Sequence, residues 1–63
     1  TEKLSPKEKI IIKRLTEGLS YKQIAELERL SVDAVRFHIK NVYRKLHVHS
    51  RVEVMIKAFK GEI

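Results

Sequence analysis

Apolar positions recur at three- and four-residue spacing through four stretches of the chain, and a serine stands at the head of each. That period is helical, and no stretch alternates as a strand would. In Leu4-Ser5-Pro6-Lys7-Glu8, Ser5 reads as an N-cap, Pro6 as the first helical residue and Glu8 as the reciprocal partner of a capping box. A first helix over about 6–17 then puts Ile11, Ile12 and Leu15 inside and Lys9, Lys13 and Glu17 outside, while Ile10 fits neither face and is either partly exposed or a contact for a neighbouring domain. Gly18 supplies its left-handed stop. Ser20 and Gln23 repeat the box and open a short helix over about 21–27 that buries Ile24, Ala25 and Leu27. Glu28-Arg29-Leu30 holds a turn, and Ser31 caps a longer helix over 32–46 with Val35, Ile39, Val42 and Leu46 on one stripe, flanked by Tyr43 and His38. Ser50 and Glu53 form a third box opening a helix over about 51–60. There Val52, Met55, Ile56 and Phe59 make the larger apolar face, expected in the core, and Val54 and Ala58 a smaller strip on the other side. The expectation is an all-α four-helix bundle, one domain over 1–63.

The second and third helices, joined by a turn of three or four residues and meeting at the small Ala25, form a helix-turn-helix arrangement, with Leu30 and Val35 as apolar plugs around the turn. The outer face of the third helix is unusual. It carries Arg36, Phe37, Lys40 and Arg44, with Asn41 and Lys45 at its edge, and no acid follows Asp33. Solvated helix faces mix charge signs, and a ring left in water stabilises nothing, so this face fits a polyanion that also offers apolar contact. Duplex DNA has phosphates beside its groove and thymine methyls within it.

Composition narrows the choice. With 14 Lys and Arg against 8 Asp and Glu the chain carries a formal charge of +6 over 63 residues, a balance that suits nucleic acid or an anionic surface. A domain this short has no room for a deep catalytic cleft. The absence of Cys removes disulfides and thiolate zinc sites, and the longest apolar run, Ile10-Ile11-Ile12, is far short of a membrane span. The expected chain is soluble and non-enzymatic, with no cofactor and no metal. His38, His47 and His49 lack the spacing and the acid for a tetrahedral site, and Ser5, Ser20, Ser31 and Ser50 are occupied as caps.

The exposed starts of the second and third helices are each able to receive a phosphate, which names Ser20, Lys22 and Ser31 as backbone contacts. Asn41 has the groups to pair with adenine, but its place further along the helix favours phosphate or water, as does that of Arg44. Phe37 either meets a base or folds back on the core edge.

These residues resemble the LuxR/FixJ-type, or NarL-like, helix-turn-helix domains at the C-terminus of many bacterial response regulators and quorum-sensing regulators. The resemblance covers Leu4 to about Phe59. Its carriers are Leu4-Ser5 with Glu8, Gly18-Leu19-Ser20, Gln23-Ile24-Ala25, Leu27, Leu30-Ser31, Val35, His38-Ile39, Lys45-Leu46, Val48 and Ser50-Arg51. It implies four helices with the third in the major groove, base contacts at Arg36, Phe37 and Lys40, a backbone phosphate contact at Lys45, and pairing of two copies through the last helix. Glu8 and Arg51, which recur in the family at the starts of the first and last helices, are expected to pair with each other. Four positions depart from the family pattern: Ala34 stands for a usual Thr, Ile10 for an acid, Arg14 for an apolar residue and Val54 for an Ala near the expected dimer seam.

The function expected is sequence-specific double-stranded DNA binding by the C-terminal part of a longer bacterial transcription regulator, cytoplasmic and nucleoid-associated, with RNA polymerase a further candidate partner. A weak homodimer on DNA is expected to use Val54 and Ala58, which lie one turn apart. The alternatives are promoter recognition in the manner of sigma-factor region four and a basic protein-interaction module docking on an acidic partner.

Overall fold

A computed structural model describes residues 3–63. Ser5, Ser20, Ser31 and Ser50 each cap a helix: α1 Pro6–Thr16, α2 Tyr21–Glu28, α3 Val32–Leu46 and α4 Arg51–Phe59. Among the described residues there is no strand. In the first two caps both halves of the box form, Glu8 and Gln23 returning to the cap N–H groups. At α4 the return differs from expectation: Ser50 Oγ accepts from the Glu53 N–H, but the Glu53 carboxylate takes the N–H of His49 rather than that of Ser50.

The stops are left-handed residues. Gly18, at φ 83°, ends α1 as expected. Arg29 and His47 hold φ 56° and 57° after α2 and α3, where most side chains cost free energy, and the chain turns there because Leu30 N–H reaches Ala25 O at 2.8 Å and Val48 N–H reaches Tyr43 O at 3.0 Å. The turn between α2 and α3 therefore lies where the sequence puts it.

The core is one cluster of Ile11, Ile12 and Leu15 from α1, Ile24 and Ala25 from α2, Val35, Ile39 and Val42 from α3, Val48 from the connection and Val54 from α4. Leu27 is not in it. It is more than half exposed, because α2 meets its neighbours through Ile24 and Ala25 and Leu27 falls beyond their edge.

The fourth helix is turned over relative to expectation. Val54 is fully buried and Ala58 half-buried, whereas Val52, Ile56 and Phe59 are exposed, Phe59 by 90%. Arg51, Val54 and Ala58 share the face that rests on α1. The bulky Ile11, Ile12 and Leu15 side chains already fill the space between the helices, so the smaller strip packs inward.

The expected Glu8–Arg51 pair does not form. The Arg51 guanidinium donates instead to the carbonyls of Leu15 at 3.3 Å and Leu19 at 2.6 Å, at the far end of α1 from Glu8. The start of α4 lies beside the end of α1, which puts the Arg51 contact about 10 Å along α1 from Glu8. Arg51 thereby ties the start of α4 to the last turn of α1, where the Leu15 carbonyl also accepts the Gly18 N–H, and to the connection before α2 through the Leu19 carbonyl.

Candidate nucleic-acid interface

The outer face of α3 is as exposed as its pattern requires. Val35, Ile39 and Val42 are buried beneath it, and Asp33, Arg36, Phe37, Lys40 and Arg44 all stand in solvent. Phe37 does not fold back on the core edge: it is 63% exposed. Its ring meets that of the half-buried His38 edge-on, with centroids 5.7 Å apart and planes at 70°. Neither Arg36 nor Lys40 makes an ion pair with a described residue. Two cations and a ring thus stand together with no acid among the described residues paired to them. Asp33 is in the first turn of α3, where it complements the helix N-terminus.

The other expected contacts divide. Ser20 and Lys22 are exposed at the start of α2, and Ser31 is exposed at the start of α3. Ser20 Oγ accepts the Gln23 N–H and Ser31 Oγ the Ala34 N–H, each at just over 3 Å, so each hydroxyl hydrogen is still available to an outside acceptor. Asn41 is half-buried on the flank of α3.

Lys45 is placed differently from the other cations. Its ammonium donates to Glu8 Oε1 at 2.7 Å and to the Lys3 carbonyl at 3.2 Å, and its side chain is only 15% exposed. The same Glu8 oxygen accepts the Ser5 N–H that caps α1. Burial pushes the Glu8 carboxyl up, but the Lys45 ammonium, the Ser5 bonds and the Lys45 charge together hold it below the ordinary carboxylate range. One buried acid therefore joins the start of α1 to the end of α3. The sequence carried a signal of this: on the helical wheel Lys45 lies about 90° from the apolar stripe and about 140° from Lys40, on the flank of His38 rather than on the outer face.

Two further interactions, one joining α1 to α2 and one on the flank of α3, went unread in the sequence. Arg14, which replaces a usual apolar residue, bonds Glu17 and Glu28 at 3.0 Å each and so ties α1 to the end of α2. Tyr43, on the opposite flank of α3 from Lys45, sits beside Tyr21 of α2; burial first, then the neighbouring Tyr21 hydroxyl, raise its hydroxyl to about 12 despite the nearby Arg51 charge. The helix is held on both flanks, and Arg36, Phe37 and Lys40 on its outer face stand exposed. No helix among the described residues is long and apolar enough to cross a membrane, and no three acids or histidines among them come together as a metal site would require.

The family model GerE, bacterial regulatory proteins of the luxR family, matches residues 2–58. The chain is 40% identical over 58 residues to the nitrate/nitrite response regulator protein homolog of Haemophilus influenzae, covering 92% of this chain and 28% of that protein. It is 43% identical over 53 residues to the nitrate/nitrite response regulator protein NarP of Escherichia coli, covering 84% and 25% respectively. Against the probable HTH-type transcriptional regulator GfsR of Streptomyces halstedii the identity is 41% over 54 residues, covering 86% and 22%. The fold superimposes on the crystal structure of the response regulator ChrA, of a heme-sensing two-component system, with a TM-score of 0.90 and 31% identity over 98% of this chain and 31% of that one. The chain spans about a quarter of the length of the curated relatives it matches.

Proposed function

Because this chain belongs to the luxR family of bacterial regulatory proteins, we propose that it is the sequence-specific DNA-binding part of a transcription regulator, with α3 lying in the major groove. The observation that carries the reading is the outer face of α3, where Arg36 and Lys40, unpaired within the described chain, flank an exposed Phe37. Arg36, Phe37 and Lys40 meet base edges, and the cations favour guanine O6 and N7. Ser20, Lys22, Ser31, Asn41 and Arg44 hold phosphates on either side. Lys45 acts one step back, fixing the end of α3 through Glu8 rather than contributing a free charge.

A single module reads only a few base pairs, so two copies side by side supply the information that one lacks. The pairing surface is the outward strip of α4, Val52, Ile56 and Phe59, because Val54 is inside. The strip is small, and pairing is accordingly weak in free solution and completed on DNA.

Fluorescence anisotropy of the 63-residue chain on a duplex selected from a random pool, against unselected duplex, tests the reading. The expected result is at least a tenfold preference for the selected site, with log affinity falling linearly as log salt rises. Equal affinity for every duplex, or binding abolished by an acidic peptide but not by bulk DNA, contradicts it.

A further inference from the structure

Phe37 is the one exposed large apolar side chain on α3, and Arg36 and Lys40, near it in the chain, pair with no acid among the described residues. A ring kept 63% in water costs solvation free energy that the free protein does not recover. It is also held. Neighbouring residues on a helix do not normally face one another, yet the Phe37 and His38 rings meet edge-on at 5.7 Å, within the range of a favourable aromatic pair. His38 is half-buried against the body of the domain, so the contact restrains Phe37 and leaves the rest of its ring facing outward. A restrained ring loses less rotational freedom when it docks.

A ring cannot donate or accept the directional bonds that distinguish most base edges. In the major groove the one apolar group presented by a base pair is the methyl on C5 of thymine, and 5-methylcytosine carries the same group at the same place. We propose that Phe37 is a specificity-determining residue that reads the C5-methyl group of a pyrimidine, next to the bases read by Arg36 and Lys40. The proposal rests on the DNA-binding reading and adds to it one chemical group. His38 is a positioning residue for this contact and touches no base. The shared chemistry is the methyl group, and thymine and 5-methylcytosine are its two sources.

The test uses the duplex selected by the 63-residue chain and replaces its thymines one at a time by uracil, which removes the methyl and leaves every hydrogen-bonding group and phosphate in place. At one position per half-site the wild-type chain should lose about fourfold in affinity, the worth of about one buried methyl-sized group. The same substitution should cost Phe37→Ala nothing, and Phe37→Leu should keep part of the effect. Replacing that thymine by 5-methylcytosine should preserve more affinity than replacing it by cytosine. His38→Ala should shrink the uracil penalty while leaving the salt slope unchanged. Because Phe37 is exposed, the variant should keep its helical circular dichroism, and urea titration checks this. Uracil tolerated at every position, or a uracil penalty equally large in Phe37→Ala, overturns the methyl assignment while leaving DNA binding standing. Failure of the wild-type chain to bind any duplex overturns both readings.

Discussion

The outward faces of α3 and α4 each leave a phenylalanine in solvent, and there the likeness ends. Around Phe37 stand Arg36, Lys40 and Arg44; around Phe59 stand Val52 and Ile56. Exposure alone would give both faces the same meaning. Their neighbours do not: a ring among cations suits a polyanion with an apolar spot, and a ring continuing an aliphatic strip suits another apolar surface. The two helices also differ in what lies behind them. Behind α3 are an ion pair, a tyrosine pair and a continuous valine and isoleucine stripe, and behind α4 are Val54, the half-buried Ala58 and the Arg51 bonds to α1. The face proposed to read DNA is the more firmly backed, as a reading surface must be if its side chains are to arrive in register.

The largest effect is expected where a charge is placed on the inner rather than the outer face of α4. Val54→Glu places a carboxylate in the core with no partner and should abolish cooperative unfolding, whereas Ile56→Glu should leave stability within about 0.5 kcal/mol. Urea denaturation followed by circular dichroism distinguishes them, and equal tolerance of both would put Val54 at the surface.

A smaller effect separates two lysines of the same helix. Lys45→Ala should cost about 3 kcal/mol of stability, because it strands the buried Glu8 carboxylate. Lys40→Ala should leave stability unchanged and remove roughly 1–3 kcal/mol of binding at the selected site, with much less lost on random duplex. If Lys45→Ala weakened binding without destabilising the fold, Lys45 would rejoin the phosphate contacts.

Acid should act on α3 through the same pair. Since the Glu8 carboxyl is held below its unfolded value, its contribution is complete at neutral pH, above the unfolded range, and is lost as pH falls through the folded value. Stability should therefore drop on the acid side more steeply in the wild type than in Glu8→Gln, measured as urea midpoints at stepped pH. Parallel pH profiles would remove Glu8 from the acid response.

The smallest expected change is at Lys22. Lys22→Ala should weaken binding to selected and random duplex alike and reduce the log-log salt slope by about one unit. A loss confined to the selected site would make Lys22 a base contact.

The helix boundaries and the α2–α3 turn were legible because caps and stops act within four residues: Ser5, Ser20, Ser31 and Ser50 each bond an N–H three positions on. The outer face of α3 was legible because one stripe alone was apolar enough to go inside. For α4 the sequence offers two apolar stripes, and which of them turns inward depends on how much space the α1 side chains leave, a property of the packed helices rather than of α4. The partners of Glu8 and Arg51 are set in the same way. A family habit of recurring together suggested that they pair, but the start of α4 meets the end of α1, away from Glu8, and Glu8 pairs with a lysine 37 residues away. Leu27 misled for a local reason: its period matches Ile24, but the buried face of α2 runs from Ile24 to Ala25, and Leu27 lies on the far side of Ile24, about 160° from Ala25.

The central claim is that duplex DNA meets the outward face of α3 and the start of α2. Amide chemical-shift mapping of the 63-residue chain during titration with a single selected half-site tests it most directly, since every element reports at once. Shifts should concentrate at Ser20–Lys22 and from Ser31 to Arg44, largest at Arg36, Phe37 and Lys40, with Val52, Ile56 and Phe59 unmoved. Shifts centred on Val52, Ile56 and Phe59, with Arg36, Phe37 and Lys40 unmoved, would contradict it.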